Sequence, residues 1–362
     1  MSNLKVDFTE INDWHKNIYY STGGTRSKKI VIHPVTNDEY FFKGSKINKK
    51  NGGTLYPTEF WSEIVSSKIG QFLGFNMLDY NIAYDENDRQ KIGCISKSMV
   101  LNSENNLTEG ITYLTGFDSK YNPEEDKNKY TFQFIQNALI GFNFDEYIEN
   151  IIEIIIFDSI IGNSDRHQEN WGIIMYYRNS INKINEELLN SKVSFWKKID
   201  MKFKRFLNEF FILLHKEERV ISKANLKLHS NITLHKFAPI YDSGCCLGRE
   251  HTDDKVLKML NDSQMIEAYI RKGESEIHWE GQPKKRKHFE LIELLLEHYP
   301  TETKKIIVRV KEKYNSESIK EIIQNVDIKI PTDLINFKLS ETRKQLMFKL
   351  VTLRIEKLIQ YL

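Results

Sequence analysis

The chain is poor in cysteine: Cys94, Cys245 and Cys246 are its three in 362 residues. They form no CxxC pair, no zinc spacing and no even disulfide framework, which fits a reducing cytosol. It has no excess of charge either. Its 52 Lys plus Arg against 50 Asp plus Glu leave a formal +2, too little for a global field that would draw it to nucleic acid or an anionic membrane. Long apolar runs are missing too. The most apolar stretch, 151–161, contains Glu153 and Asp158 and falls short of the roughly 20 residues that span a bilayer. It reads as a buried helix in a soluble protein. The polar start, without a secretory h-region, predicts a cytoplasmic location. No HExxH or comparable ligand cluster and no GxSxG elbow occur, so metal-dependent and nucleophilic hydrolysis have nothing to stand on.

With 40% hydrophobic and 28% charged residues, the chain can bury two core-bearing lobes or one large domain, and a disordered or fibrous protein is excluded. Residues 1–105 alternate short β-rich runs, at 29–33, 39–43 and 91–97, with turns. Between the second and third run, Phe60, Trp61, Ile64, Val65, Ile69, Phe72 and Leu73 recur at helical spacing, predicting a helix over 58–75 with Thr58 as N-cap and Gly74 as its stop. This is the outline of a small nucleotide-gripping lobe. Residues 106–362 change to long amphipathic patterns and predict a larger, mainly α-helical lobe, with an accessory helical insert over 181–230 and helices again over 286–362. Segments 48–57 and 118–128 read as surface loops. The basic run 283–288 matches an import signal or anion patch in letter, but reads better as a solvated helix start. Trp61 and Trp171 fall inside apolar patterns and are expected in the core. Cys245 and Cys246 are expected as small residues packed behind the turn at Asp242.

The segment 157–172 carries the chemistry. It sets Asp165 and Asn170 five residues apart in a polar turn between apolar runs. Phosphoryl transfer needs an Asp facing the attacking hydroxyl and an Asn reaching back to a magnesium ion on the nucleotide phosphates. It also needs a second metal-binding Asp on a later strand. Asp242 fits, since the apolar run 237–241 ends in Asp-Ser-Gly where eukaryotic protein kinases have Asp-Phe-Gly. His167 is expected to brace the turn, and Arg166 to pair with a carboxylate or phosphate.

Lys43 ends a predicted strand. The alternation of side chains sends it opposite to Phe42, where it can hold phosphates as a point charge if a carboxylate fixes it. Glu63 on the helix is the candidate, with Glu59 one turn earlier as the second choice. The segment 21–29, just before the first of these strands, has the composition of a phosphate-covering loop. Gly23 and Gly24 allow close backbone approach, and Thr25, Arg26 and Lys28 offer donors, although it matches neither GxxxxGK[ST] nor GxGxxG.

Together these residues resemble the HipA-like serine/threonine kinases of bacteria, which include toxin-antitoxin kinases and compact single-protein relatives. The likeness runs through Ser-x-x-Gly-Thr-Arg-x-Lys at 21–28, Phe-Phe-Lys-Gly at 41–44, the helix at 59–74, Ile-Gly-Asn-Ser-Asp-Arg-His-Gln-Glu-Asn-Trp-Gly at 161–172 and Ala-Pro-Ile-Tyr-Asp-Ser-Gly at 238–244. It implies an α+β, two-lobed, protein-kinase-like fold with ATP between the lobes. It implies Asp165 as catalytic base, Asn170 and Asp242 on Mg2+, Lys43 on the phosphates and Glu63 as its partner. It also implies Ser21 as an autophosphorylation site, and a protein substrate such as an aminoacyl-tRNA synthetase or another translation component. Two departures stand out. Asn170 and Asp242 are 72 residues apart, more than a simple hairpin needs, which the helical insert accounts for. The nucleotide loop also begins by residue 21, without the small N-terminal subdomain of the longer toxins, so the antitoxin partner that the resemblance implies is set against an autonomous kinase or one with a separately encoded subunit. Two other readings compete: a catalytically silent nucleotide-binding module that sequesters a partner, and a kinase of a lipid or small molecule.

Overall fold

The computed structural model describes residues 4–17, 28–46, 54–100, 105–190, 193–216, 223–282 and 284–362. Strands β1 (Phe8–Glu10), β2 (His15–Asn17), β3 (Lys28–Ile32) and β4 (Glu39–Lys43) precede helix α1 (Glu59–Leu73), and β5 (Asn81–Tyr84) and β6 (Ile92–Lys97) follow it. They form one six-stranded sheet in the order β1-β5-β6-β4-β3-β2. All neighbours are antiparallel except β1 with β5.

The pleat of β4 separates its two last side chains. Phe42 packs into a small cluster with Ile11, Val31, Ala83 and Ile95 on one face of the sheet, so Lys43 projects from the other face, toward α1. That helix carries the predicted apolar stripe, with Ile64, Val65, Ile69 and Leu73 fully buried. It is buried beyond the stripe as well. Ser62, Glu63, Ser66, Ser67 and Lys68 are also inside, because α1 is wedged between the sheet and the rest of the molecule, and each of these polar side chains is bonded. Gly74 ends it in the left-handed conformation at φ 84°, where a side chain would be strained. Thr58 stands at the N-cap but makes no capping bond through its hydroxyl.

The second lobe opens with β7 (Asn105–Glu109), α2 (Gly110–Phe117), α3 (Phe132–Gly141) and α4 (Ile148–Ile161). Strand β8 (Gly172–Tyr176), helices α5 (Tyr177–Leu188), α6 (Phe195–Lys216) and α7 (Lys223–Ile232), and strand β9 (Leu234–Phe237) come next. The chain ends in α8 (Asp253–Asn261), α9 (Ser263–Lys272), α10 (His288–His298), α11 (Pro300–Lys313), α12 (Ser316–Gln324) and α13 (Glu341–Ile359). Strands β7, β8 and β9 make a small antiparallel sheet with β8 central. Helix α4 is the apolar run of the sequence, buried along its length among α10, α11 and α13, and Gly162 stops it at φ 69°. The fold is thus α+β and two-lobed, a small β-rich lobe with one long helix against a larger, mainly helical one.

The 72-residue separation of Asn170 and Asp242 is filled by α5, α6 and α7 between the two strands β8 and β9. Segment 118–128 is a series of turns leading into a short 3-10 helix, Lys127–Lys129. Within the basic run, Lys287 occupies the N-cap of α10, Lys285 pairs with Glu276, and Arg286 and Lys287 both reach Glu290, which makes it a helix start. Trp61 and Trp171 are core residues. No helix among the described residues is long and apolar enough to cross a membrane.

Candidate active site

Three separate elements deliver charged groups to one place. Lys43 at the end of β4 sets its Nζ 3.3 Å from Glu63 Oε2 on α1 and 2.5 Å from Asp242 Oδ1 in the turn after β9. Glu63 holds two of the three elements, because its other oxygen, Oε1, accepts the Ser243 backbone N–H at 3.1 Å. Lys43 and Glu63 are both buried, so the pair acts in a medium where charge is weakly screened. Glu59, the second candidate, is occupied elsewhere: it pairs with Arg249 at 2.7 Å and accepts the Lys46 N–H.

The turn bearing Asp242 is laid down by backbone bonds. Leu78 N–H donates to the Ile240 carbonyl, and Ile240 N–H to that of Asn76, which ties the segment before Asp242 to the chain leaving α1. Asp242 itself has φ 55°, a left-handed conformation that Asp adopts more readily than most residues but still at a cost. Beside it lies the hydroxyl of Tyr80. Burial, and then the charges of Glu63 and Asp242, push that phenol well above its ordinary range, so it remains a neutral hydroxyl.

The loop after α4 carries Asp165 and Asn170. The Asn170 amide nitrogen donates to the Asp165 carbonyl at 2.6 Å, and its backbone N–H to the His167 carbonyl. His167 accepts the Glu169 N–H through Nδ1, so ring and carbonyl both brace the turn. Committing the Asn170 nitrogen inward leaves the side-chain oxygen as the atom available to a cation. Asp165 is half-buried, and its Oδ2 lies 3.0 Å from Cys245 Sγ.

Arg166 joins the two loops. Its guanidinium makes a bidentate pair with Asp158 on α4, donates to the carbonyls of Asn170 and Tyr241, and reaches Ser243 Oγ. Burial by itself would lower its pKa, but the charge and hydrogen bonds of Asp158 override that and hold it above its ordinary value. The guanidinium is therefore a permanent structural cation. Because one of its nitrogens touches the backbone at both Asn170 and Tyr241, the segments bearing Asn170 and Asp242 lie side by side.

The donor set fits magnesium held on a nucleotide: one carboxylate and one amide oxygen, the remaining positions being left to phosphate and water. Among the described residues no cluster of three or more His, Cys, Asp or Glu could hold a metal ion. Of the residues proposed from sequence, Lys43, Glu63 and Asp242 are in direct contact, and Asp165 and Asn170 share the adjoining loop. Ser21, Gly23, Gly24, Thr25 and Arg26 lie outside the described residues. Lys28, the first residue of β3, is in register with Lys43.

Several residues of the site escaped the sequence reading. Asp158 gave a signal, since a carboxylate inside an apolar run must be paired when buried, but nothing in the sequence named Arg166 as its partner. Arg249 gave none. It pairs with Glu59, donates to Cys245 Sγ and lies over the Tyr56 ring at 4.1 Å. The cysteines divide: Cys246 does pack behind the turn, against Ser66 and the Ser243 carbonyl, and burial raises its thiol well above the usual range. Cys245 instead faces Asp165.

No protein-family model matches this sequence, and no curated protein is significantly similar to it. Among solved structures, the fold is similar to that of the Helicobacter pylori proinflammatory kinase CtkA, with a TM-score of 0.68 at 17% identity, covering 98% of this chain and 96% of that one. A slighter likeness, TM-score 0.45 at 8% identity, is to the Shewanella oneidensis MR-1 toxin-antitoxin complex of HipA, HipB and operator DNA. It covers 94% of this chain and 65% of that one. The first likeness extends over nearly the whole of both chains and is one of fold.

Proposed function

We propose that the protein is an ATP- and Mg2+-dependent serine/threonine protein kinase of the HipA-like kind, working in the cytoplasm on a protein such as a translation component. The observation that carries this reading is the meeting of Lys43, Glu63 and Asp242 beside the Asp165 loop. Positions 20 and 199 residues from Lys43 along the chain have no packing reason to bring three buried or half-buried charges together, whereas holding a nucleotide triphosphate requires it.

In this reading Lys43 takes the α- and β-phosphates, and Glu63 keeps its ammonium from swinging away. Asn170 and Asp242 are the residues that would hold Mg2+, which when bound neutralises phosphate charge. Asp165 orients the acceptor hydroxyl and takes up its proton as the oxygen bonds to the γ-phosphorus and the bond to ADP breaks. Arg166 keeps the two loops in register, so the reacting groups are positioned before substrate arrives. The proposal extends to the segment leading into β3 and to that strand's first residue: Gly23, Gly24, Thr25, Arg26 and Lys28 cover the phosphates, and Ser21 receives phosphate in an autophosphorylation.

Incubation of the purified protein with ATP and Mg2+, followed by intact and peptide mass measurement, tests the reading. Phosphate is expected on the wild type, with Ser21 among the modified residues, and transfer should fall by at least about 10²-fold in Asp165→Asn. Full transfer by a folded Asp165→Asn would sink the assignment. Binding of ATP by the wild type without any transfer would favour a nucleotide-binding module that acts through a partner.

A further inference from the structure

Helix α6 has two faces of different character. One is anchored: Met201, Asn208, Phe211 and Ile212 are buried, Asn208 bonds the Ile232 carbonyl and accepts from Thr233 Oγ1, and Phe211 meets His229 edge-on at 4.1 Å. The other face is open. Trp196, Ile199, Phe203, Phe206, Phe210 and Leu213 are 77, 45, 58, 60, 42 and 59% exposed. They recur at intervals of 3, 4, 3, 4 and 3, the a and d positions of a heptad. Taking about 200 Å2 for a large side chain, these residues and the exposed Phe195 present roughly 800 Å2, about one partner's share of a standard protein interface. A patch of that size on a monomer calls for an occupant.

We propose that this face is a dimer interface, in which α6 packs antiparallel against α6 of a second copy of the chain. The flanking charges select both partner and direction. With the seam centred between Phe203 and Phe206, Trp196 faces Leu213 of the second copy, Ile199 faces Phe210, and Phe203 faces Phe206. Lys202 and Glu209, both exposed and both at heptad position g, then lie opposite one another across the seam, and the two-fold axis makes the pair twice. A parallel alignment would set Lys202 against Leu207 and Glu209 against Leu214, leaving each charge beside an apolar group. A lipid surface is disfavoured on the same ground, since the edges of the stripe carry both signs, Asp200 and Glu209 as well as Lys202, whereas a helix lying in a membrane has its apolar arc bordered by cations. The interface uses no residue of the proposed active site and does not depend on that reading.

Sedimentation of the full-length protein across a dilution series tests it. The wild type should be dimeric, and the joint variant Phe203→Glu and Phe206→Glu monomeric with an unchanged circular-dichroism spectrum. Lys202→Glu alone and Glu209→Lys alone should each weaken the dimer about tenfold, which corresponds to about 1.4 kcal/mol, and the two combined should restore it. A wild type that is monomeric at every concentration overturns the proposal. So does a dimer indifferent to the two glutamates, or one that the paired reversal fails to restore. A monomer that floats with anionic phosphatidylserine vesicles would assign the face to a membrane instead.

Discussion

Arg166 ties together several segments of the site, and it touches no group that reacts in the proposed transfer. Its bonds run to a helix, to its own loop and to the turn bearing Asp242, so its guanidinium joins the Tyr241 hydroxyl on the Glu169 carbonyl and the Cys245 thiol on Asp165 in setting the relative placement of Asp165 and Asp242. Asp158 is what makes burying that charge tolerable. Its removal leaves the cation uncompensated in the interior, where breaking one half of a buried pair costs about 3–5 kcal/mol. Asp158→Asn is therefore expected to be destabilised by about that amount in urea unfolding, and an unchanged midpoint would contradict this role. At this scale the residues proposed for the chemistry were legible in their spacing, Asp165 to Asn170 and then Asp242. The sequence offered Arg166 a carboxylate or phosphate without naming Asp158, placed Cys245 behind the turn where it instead faces Asp165, and was silent on Arg249, because such pairings are made by the folded backbone and carry no pattern along the chain.

Elements differ in how openly their sequences declare them. Helix α1 and strand β4 were legible to within a residue or two, since Gly74 supplies a stop and the period of the apolar residues is unambiguous. That α1 is buried on every side was not legible, because Ser62, Ser66 and Lys68 look like a solvated face until the second lobe is seen to cover them. Helix α10 adds a titration. Its first residue, His288, is fully buried beside Arg354 of α13, and burial, followed by that neighbouring charge, lowers its pKa well below the ordinary value of 6.5. The unfolded chain takes up a proton as pH falls through about 6.5 while the folded chain refuses it, so stability must drop on acidification. The expected slope from this one group is about 1.4 kcal/mol per pH unit below that point. Unfolding midpoints measured from about pH 7 to pH 5 should show a shallower decline in His288→Gln than in the wild type. Equal slopes would place the acid sensitivity elsewhere, with His251 or His278, whose values burial also lowers.

At the scale of the whole molecule, the two lobes meet through α1 and the turn at Asp242, and a ligand between them adds to the contacts that hold them. ATP with Mg2+ at a hundred times its dissociation constant should stabilise the folded state by about 2.7 kcal/mol. For a chain of this length that is a rise of a few degrees, about 1.3 °C per kcal/mol, in a thermal melt. Chelation by EDTA or the change Asp242→Ala should remove most of the rise, whereas a rise insensitive to both would mean that the nucleotide binds without the proposed metal ligands. The sequence by itself determined the class of fold, strands β3, β4 and β6, helices α1 and α4 and the residues proposed for the chemistry, since periodicity, stop signals and motif spacing are local properties written along the chain. Tertiary structure alone decided which carboxylate holds Lys43, which one neutralises Arg166, which cysteine faces Asp165 and which face of α6 is left uncovered. The reason is physical: burial and pairing are set by segments far apart in sequence, 199 residues for Lys43 and Asp242, that become neighbours only when the chain has closed around its core.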